Sequence, residues 1–369
     1  MARLLAIPND PIWAYLKKGE IKENYFNPGG LFSEVHLATL AERDVDPASV
    51  QALAGQARLF IHPIGRPNPA TLPLFLRPMT KLVKIIGPDL IRAHNPWAAG
   101  ALAVYAGQRL SIPTVIYLHI ENDERRRFDR RLRFRLVKPL ERYSLSRADL
   151  VVCVSHFLEG YAKRHGARQV ATVYNKVFTE QFSRPQPQAF HQPPRILYVG
   201  RLDPQKAPEV IIQAMAGLDF ELTLIGDGSE RTRLQGLVGR LGLAGRVKFI
   251  ESVPHASIQD HYHQADIFAL ASHYEGFCIP VLEAMASSLP VVVSDTPPLP
   301  EILGGCGLIV AQEPTAFRRA FEKLAAEPDS ALEMGRRARQ RAEALDGRLM
   351  EEREIGLYQE LLDRAAKEG

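Results

Sequence analysis

The chain has 369 residues, of which 46% are hydrophobic and 24% are charged, and its formal net charge is +4. This length exceeds the usual size of a single hydrophobic core, so it predicts two domains. No apolar run approaches the roughly 20 residues of a membrane span, and the first ten residues lack a signal-peptide core. The three cysteines show neither metal-ligand spacing nor a disulfide framework. We therefore expect a protein of the reducing cytoplasm.

Short apolar runs rich in β-branched residues alternate with helical patterns through most of the chain. The predicted strands of the first half are Arg3–Ile7, Arg58–His62, Leu90–His94, Thr114–His119, Leu150–Ser155 and Val170–Tyr174. Those of the second half are Arg195–Gly200, Leu222–Gly226, Val247–Ile250, Ile267–Ala271, Val291–Ser294 and Leu308–Val310. Such alternation predicts parallel sheets with helical connections. The expected fold class is α/β, with two Rossmann-like doubly wound domains facing a central cleft, since ligands of such sheets bind beyond the strands' carboxyl ends.

A stretch rich in proline and glutamine, FTEQFSRPQPQAFHQPP, separates the two halves and is typical of a linker. We predict an N-terminal domain over residues 1–180, a linker over 181–194 and a C-terminal domain over 195–345. The remaining residues, 346–369, are predicted to form a helix that packs back on the first domain.

The most informative segment is EGFCIPVLE, because it holds two carboxylates eight residues apart. Glu275 lies in a loop and Glu283 in the first turns of a helix, so the two can line one crevice. The backbone N–H groups at this helix start belong to Phe277, Cys278 and Ile279. Anions bind at such helix starts, and carboxylates accept hydrogen bonds from hydroxyls, so the segment suits a sugar attached to a diphosphate. An acid that merely complements the helix dipole would explain one glutamate but not the whole loop.

Two basic residues follow the first predicted strand of the second domain. The strand ends at Gly200 and Arg201, and Lys206 comes five residues later. An arginine fork and a lysine charge at this place could hold a diphosphate and stabilise it as a leaving group. A solvated basic loop is the alternative.

A second turn, Gly226-Asp227-Gly228, follows the next predicted strand and permits close approach of a ligand, although the same triplet is common in ordinary turns. The chain contains no dinucleotide-binding glycine fingerprint and no Walker A sequence, which argues against a nicotinamide dehydrogenase or a P-loop enzyme. Asp44 and Asp46 form a D-x-D pair, but Asp46-Pro47 is more typical of a helix start than of a metal site. No metal or other cofactor is therefore expected.

Four segments occur in an order that resembles the retaining glycosyltransferases of family 4, of GT-B architecture: VGRLDPQKA, LIGDGSE, ADIFALAS and EGFCIPVLEAMA. The resemblance covers nearly all of the second domain and extends more weakly into the first. It implies that the second domain binds the nucleotide sugar and that the first domain lies on the acceptor side. It implies that Glu275 contacts donor-sugar hydroxyls, that Glu283 contacts the nucleotide ribose, and that Arg201 and Lys206 hold the diphosphate.

The same resemblance places Gly29 and Gly30 near phosphate and sugar, and His119 close to the sugar. The substrate-binding segment also includes Gly200, Gly226, Asp227, Gly228 and Gly276 to Ile279. Cys278 departs from the family pattern, because family members usually have glycine there, and its side chain could narrow the sugar pocket. From its position alone, His119 ends a predicted strand and could hydrogen-bond a sugar or a phosphate. A satisfied structural histidine is the alternative, and His94 presents the same choice.

The segment RRRFDRRLRFRLVKPL, Arg125–Leu140, is strongly basic and carries an apolar stripe at helical spacing. Our hypothesis is that the basic helix Arg125–Lys138 binds an anionic membrane surface, which makes the protein peripheral at the inner membrane face. The alternatives are that the basic face meets a phosphate-bearing acceptor, or that this is a core-facing helix with a solvated basic face. Nucleic acid is not an expected partner, because no aromatic stacking platform accompanies the arginines.

The predicted reaction is transfer of a hexosyl group from a nucleotide diphosphate sugar, with uridine favoured, to an acceptor hydroxyl. The acceptor is a glycan, a lipid-linked species or a small molecule, and the context is cell-surface glycan or glycolipid assembly. The resemblance implies retention of anomeric configuration. The alternatives are a nucleotide-sugar epimerase, a phosphorylase, or a non-catalytic subunit that binds nucleotide sugars.

Overall fold

The computed structural model describes residues 2–128, 137–183, 189–254 and 257–368. The chain divides into two compact units. Unit 1 comprises Met1–Tyr174 and Met350–Gly369, and unit 2 comprises Asn175–Leu349. Within the segment predicted as a linker, residues 184–188 lie outside the described residues.

Unit 1 is built on a parallel sheet that has seven strands among the described residues. The strands are β1 Ala2–Ile7, β2 Phe32–Thr39, β3 Arg58–Pro63, β4 Leu90–Ala93, β5 Thr114–Leu118, β6 Leu150–Cys153 and β7 Val170–Thr172. Their order is β3-β2-β1-β4-β5-β6-β7, and every neighbouring pair is parallel. The direction of winding reverses between β1 and β4. In open α/β sheets ligands bind at such a reversal, beyond the carboxyl ends of the strands.

The helices of unit 1 connect these strands. They are α1 Ile12–Lys18, α2 Leu72–Ile86, α3 Ala98–Leu110, α4 Asn122–Phe128, α5 Lys138–Arg147 and α6 His156–Arg164. α3 is buried along a run of alanines and glycines, whose small side chains let the helix lie close to its neighbours. α2 ends at Gly87, which adopts the left-handed conformation (φ 60°) that commonly terminates helices.

Unit 2 repeats the plan with six strands in its described part. They are β8 Arg195–Val199, β9 Glu221–Ile225, β10 Val247–Ile250, β11 Ile267–Leu270, β12 Val291–Ser294 and β13 Leu308–Val310. The order β10-β9-β8-β11-β12-β13 places the reversal between β8 and β11. The helices are α7 Pro208–Ala214, α8 Arg231–Arg240, α9 Ile258–His263, α10 Ile279–Ala286, α11 Leu299–Leu303, α12 Pro314–Ala326 and α13 Pro328–Glu343. Several begin with proline at the first turn, where its missing N–H is not needed.

The chain closes with a long helix, α14, over Gly347–Glu368. From Met350 onward it belongs to unit 1. Its buried side chains include Glu354, Tyr358 and Leu361. No helix in the described ranges combines the length and apolarity of a membrane span.

The predicted α/β class with doubly wound sheets is confirmed, and the predicted strands agree with the structure to within two residues at their ends. Strand β2 was missed. Its sequence, FSEVHLAT, carries polar residues at Ser33, Glu34 and His36, which break the apolar run that marks a buried strand. The predicted basic helix is only partly described, because α4 ends at Phe128 and residues 129–136 lie outside the described ranges.

Candidate functional site

Two loops of unit 2 meet at the reversal of its sheet. One follows β8 and runs from Gly200 to Ala207, and the other follows β11 and runs from Ala271 to Cys278. Gln205 joins them through its backbone and its side chain. Its carbonyl accepts from the His273 N–H at 2.8 Å, and its Nε2 donates to the Tyr274 carbonyl at 2.9 Å. We call these the switch loops, and their close pairing fixes the residues that they carry.

Lys206 and Glu275 form an ion pair across the switch loops. The Lys206 Nζ lies 2.5 Å from the Glu275 Oε1, and only 12% and 5% of the two side chains are exposed. Burial alone would lower the pKa of Lys206, but the Glu275 carboxylate outweighs it, so the net pKa is raised. Lys206 is therefore a charged ammonium held at the ligand edge of the sheet.

Arg201 differs from Lys206 because its side chain is 62% exposed. It is nevertheless tethered, since its guanidinium pairs with Asp203 and donates to the Gln205 Oε1 at 2.7 Å. The Arg201 carbonyl accepts from the buried Tyr198 hydroxyl at 2.9 Å. Because its backbone is anchored, the exposed guanidinium loses little conformational entropy when it binds an incoming anion.

The glycine turn after β9 packs against the loop after β8. A Cβ atom at Gly226 would lie 2.0 Å from the Gly200 carbonyl oxygen, and the residue has a φ of 142°. The Leu202 N–H donates to the Asp227 carbonyl at 2.9 Å, while the Asp227 carboxylate lies 3.8 Å from Arg231. Glycine at 226 is thus required by backbone contact. Gly228 lies in the same turn, where a Cβ would come within 2.4 Å of the Leu202 carbonyl oxygen.

The second switch loop leads into α10 through a strained residue. Cys278 precedes the helix with φ 81°, in the left-handed region that side chains rarely adopt. Its thiol is buried, and burial together with the Glu275 carboxylate raises its pKa to about 12. Gly276 and Phe277 are buried beside it, and Ile279 begins the helix. Cys278 is therefore a neutral, inert side chain that occupies space beside Glu275.

Glu283 lies on α10, where only 6% of the residue is exposed. The Tyr262 hydroxyl donates to its Oε2 at 2.7 Å. Burial and the Glu283 carboxylate raise the pKa of Tyr262 well above its usual value, so the phenol stays protonated as a donor. This bond fixes the orientation of the carboxylate.

In unit 1, three rings stack at the carboxyl ends of β4 and β5. His94 and Tyr117 have ring centroids 5.7 Å apart, and His119 lies 6.0 Å from each of them. We call His94, Tyr117 and His119 the imidazole stack. Burial and the charge of Arg92 lower the pKa of His94 well below its usual value, and the same causes lower that of His119 to about 4, although His119 retains exposed surface. Both imidazoles are neutral at physiological pH.

The glycine turn of unit 1 lies beside α14. Gly29 and Gly30 both adopt positive φ angles, 58° and 67°. A Cβ at Gly29 would lie 2.4 Å from the Ile355 side chain, and the Gly29 N–H donates to the Glu351 carboxylate at 3.4 Å. The turn can therefore hold no larger residue at position 29 without displacing the helix side chain.

The structure thus gathers the predicted residues of unit 2 into one group, whereas those of unit 1 lie in the glycine turn and in the imidazole stack. The switch loops and their neighbours hold Gly200, Arg201, Lys206, Gly226, Asp227, Gly228, Glu275, Gly276, Phe277, Cys278, Ile279 and Glu283. Unit 1 holds Gly29, Gly30 and His119. Sequence reasoning missed Asp203 and Gln205, which tether Arg201, and Tyr262, which orients Glu283. The first two lie within the LDPQKAP segment and had a local signal, whereas Tyr262 had none.

Asp44 and Asp46 act as helix caps. The Asp44 carboxylate accepts from the Ile12 and Trp13 N–H groups at 2.9 and 2.8 Å, which satisfies the start of α1. The Asp46 side chain accepts from the Ala48 N–H at 3.1 Å. Within the described ranges no three His, Cys, Asp or Glu side chains cluster as metal ligands would.

The arginines that open the basic segment contact other side chains of unit 1. Arg125 lies 5.2 Å above the Trp97 ring, and Arg126 pairs with the fully buried Glu141 at 2.9 Å. Arg127 pairs with Glu124 on the same helix. Of these three arginines, Arg127 is the one whose side chain is largely exposed, at 77%. Residues 129–136 of the segment, which include two of the four positions of the predicted apolar stripe, lie outside the described residues.

Comparison with known families and structures identifies the chain's relatives. The family "Glycosyl transferases group 1" matches residues 179–341, and "Glycosyltransferase Family 4" matches residues 33–181. An uncharacterized glycosyltransferase of Methanocaldococcus jannaschii is 25% identical over 62% of this chain and 60% of its own length. A D-inositol 3-phosphate glycosyltransferase of Gordonia bronchialis is 33% identical over 40% of this chain and 36% of its own. The aligned region thus spans less than two thirds of these relatives.

Solved structures share the fold over nearly the whole chain. Sucrose-phosphate synthase of Thermosynechococcus elongatus superposes with a TM-score of 0.79 at 22% identity, covering 98% of this chain and all of the other. Anabaena HepE in complex with UDP-glucose superposes with a TM-score of 0.76 at 18% identity and the same coverage. Both α/β units thus resemble those of GT-B glycosyltransferases. The chain belongs to the group 1 and family 4 glycosyltransferases, as its sequence motifs predicted.

Proposed function

We propose that this protein transfers a hexosyl group from a nucleotide diphosphate sugar to an acceptor hydroxyl with retention of anomeric configuration. The ion pair of Lys206 and Glu275 is the observation that carries the proposal. It lies at the reversal of the unit 2 sheet, where doubly wound folds bind ligands. A buried ammonium beside a carboxylate offers one partner for a phosphate oxygen and another for sugar hydroxyls.

In this mechanism Lys206 and Arg201 stabilise the negative charge that develops on the departing diphosphate. Lys206 supplies a preorganised charge, since its pKa is raised and its side chain is fixed by Glu275. Arg201 supplies a planar fork from an anchored loop. Glu275 accepts hydrogen bonds from donor-sugar hydroxyls, and Glu283, oriented by Tyr262, accepts from the ribose.

Retention follows a front-face course in our proposal. The acceptor hydroxyl attacks from the side of the leaving group, and a phosphate oxygen of that group takes its proton. The C–O bond to the acceptor forms as the bond between the sugar and the diphosphate breaks. Because Lys206 and Arg201 stabilise the charge of the departing diphosphate, the proposed mechanism requires no metal ion.

The proposed donor is a UDP-hexose. Support comes from the fold shared with HepE, which has been solved with UDP, with UDP and glucose, and with UDP-glucose. Gly29, Gly30 and His119 of unit 1 are proposed to contact the sugar and its phosphate. The proposed acceptor is a glycan, a lipid-linked precursor or a small molecule, and the proposed context is cell-surface glycan assembly.

We also propose that the protein works on the cytoplasmic side of a membrane with anionic lipids. The arginine-rich composition of the basic segment supports this, as does the exposed Arg127. Sedimentation with vesicles at low salt tests it. More protein should pellet with vesicles containing phosphatidylglycerol than with pure phosphatidylcholine vesicles, and equal pelleting would contradict it.

A thermal-shift panel with UDP, GDP, ADP and their hexose conjugates, with and without EDTA, tests the donor proposal. We expect UDP and one UDP-hexose to raise the melting temperature, and the shift to survive EDTA, because binding stabilises the native state. A shift abolished by EDTA would contradict the metal-independent site. No shift with any nucleotide would instead favour a non-catalytic relative that has lost donor binding.

A further inference from the structure

A buried arginine lies directly beneath the imidazole stack of unit 1. Arg92, on β4, has only 6% of its side chain exposed. Its guanidinium carbon lies 4.4 Å from the Tyr117 ring centroid and 6.0 Å from that of Phe26. A charge held among aromatic rings away from water requires an opposite charge.

Glu354 of α14 supplies that charge. Its Oε1 lies 3.1 Å from the Arg92 Nη1, and 3% of its side chain is exposed. The same oxygen accepts from the Tyr358 hydroxyl at 2.8 Å and from the Tyr117 hydroxyl. The two phenol oxygens lie 2.9 Å apart. One carboxylate oxygen thus joins the guanidinium to both tyrosines.

Tyr117 connects this carboxylate to the imidazoles. Its ring is tilted by only 20° from that of His94 and 25° from that of His119. His94 is buried, and its Nε2 has no hydrogen-bond partner within the described residues. Without a hydrogen bond of its own at that nitrogen, the His94 ring depends on its aromatic neighbours for its orientation.

The same helix also supports the glycine turn. Glu351 and Ile355, which flank Glu354 in the sequence, contact Gly29. α14 therefore contacts, in one stretch, the turn at Gly29 and the residues that hold the imidazole stack. A buried ion pair stabilises a fold no better than well-packed apolar side chains of similar volume. The arrangement is better explained by what it holds in place.

We propose that Glu354 is a positioning residue for His94 and His119: it neutralises Arg92 and anchors the Tyr117 hydroxyl, and so fixes both imidazoles at the edge of the unit 1 sheet. Its effect on catalysis rests on the proposed transferase function, but its effect on the imidazoles does not. No residue of α14 is needed as a direct substrate contact. The helix acts through Tyr117 and Arg92.

The test substitutes Glu354→Gln, which keeps the shape of the side chain and removes its charge. Glu352→Gln is the matched control, because Glu352 is exposed on the same helix. Imidazole resonances are recorded by NMR and assigned with His94→Gln and His119→Gln. Hydrolysis of UDP-glucose gives kcat and KM for the same proteins.

We expect Glu354→Gln to move the His94 and His119 resonances and to lower kcat about ten- to a hundredfold with little change in KM, as misplacement of a positioned group does. Glu352→Gln should match the parent protein in both measurements. Unchanged His94 and His119 resonances in Glu354→Gln would overturn the proposal.

The double variant Arg92→Met/Glu354→Leu separates positioning from stability, and it also serves if Glu354→Gln folds poorly. Replacing both charges with apolar side chains should restore the melting temperature, while the imidazole resonances stay displaced and kcat stays low. Recovery of native kcat and native resonances in this variant would show that Glu354 only balances a buried charge. If the parent protein does not turn over UDP-glucose but the resonances shift as expected, the positioning role stands and the proposed donor fails.

Discussion

Variants of the ion pair between Lys206 and Glu275 separate its effect on stability from its effect on activity. Lys206→Met leaves the Glu275 carboxylate buried without its ammonium partner. The two atoms are 2.5 Å apart and both side chains are largely buried, so breaking the pair is expected to cost about 3–5 kcal/mol. For a domain the size of unit 2, about 1 kcal/mol corresponds to roughly 2–4 °C. The melting temperature should therefore fall by roughly 6–20 °C.

The double variant Lys206→Met/Glu275→Leu removes both charges and should regain most of that stability, because similar apolar side chains tolerate burial. It should nevertheless fail to bind or turn over UDP-glucose. Lys248→Met is the matched control, since Lys248 is exposed on β10, and it should melt within about 2 °C of the parent.

Thermal unfolding followed by far-UV circular dichroism, with UDP binding measured by calorimetry, tests these expectations. If Lys206→Met melts like the parent protein, the pair is not buried and coupled as described. If the double variant binds UDP-glucose with native affinity, the switch loops are not the donor site.

Three further changes test other parts of the structure. Gly226→Ala should destabilise unit 2 by about 1–3 kcal/mol, because its Cβ would meet the Gly200 carbonyl at 2.0 Å. Unfolding in guanidinium measures this loss, and a variant as stable as the parent protein would refute the contact. Tyr262→Phe should weaken UDP binding in calorimetry by leaving Glu283 without its 2.7 Å donor, and unchanged affinity would refute it. Because the pKa of His94 is lowered by burial, the unfolded state binds more protons below about pH 6.5. Stability should fall on acidification, and His94→Phe should reduce that slope.

The fold was predictable where apolar runs are continuous. β12 is written VVVS and is wholly buried, so its sequence has the composition of a buried parallel strand. β2 was not recognised, because the polar side chains of Glu34 and His36 find local partners. Glu34 pairs with Arg58 and His36 contacts His62 at 3.0 Å, so their polarity is compatible with a strand in the interior of the sheet. A prediction based on hydrophobicity alone cannot detect such pairing of polar side chains.

The residues of the switch loops could be found from the sequence because each loop is short and contiguous. Arg201 and Lys206 lie five positions apart, and the parallel sheet brings their loop against that of Glu275. The strain at Cys278 could not be predicted, since its φ of 81° depends on how the loop enters α10. The role of Tyr262 could not be predicted either, because Tyr262 lies on a different helix from the glutamate that it orients.

The supporting residues of unit 1 are harder to predict from the sequence, and the reason is physical. Tyr117 and Glu354 are separated by 237 residues, and neither belongs to a motif that suggests a site. A glutamate on a long charged helix has the appearance of a solvated residue, whereas Glu354 is buried against Arg92 and the Tyr117 hydroxyl. Sequence motifs therefore predict the proposed donor residues of unit 2 better than the proposed ligand contacts of unit 1. If acceptor choice resides in unit 1, the domain predicted to lie on the acceptor side, related chains can share every motif of the switch loops and still differ in acceptor. Such chains should then be compared at the contacts that α14 makes with Arg92, Tyr117 and Gly29.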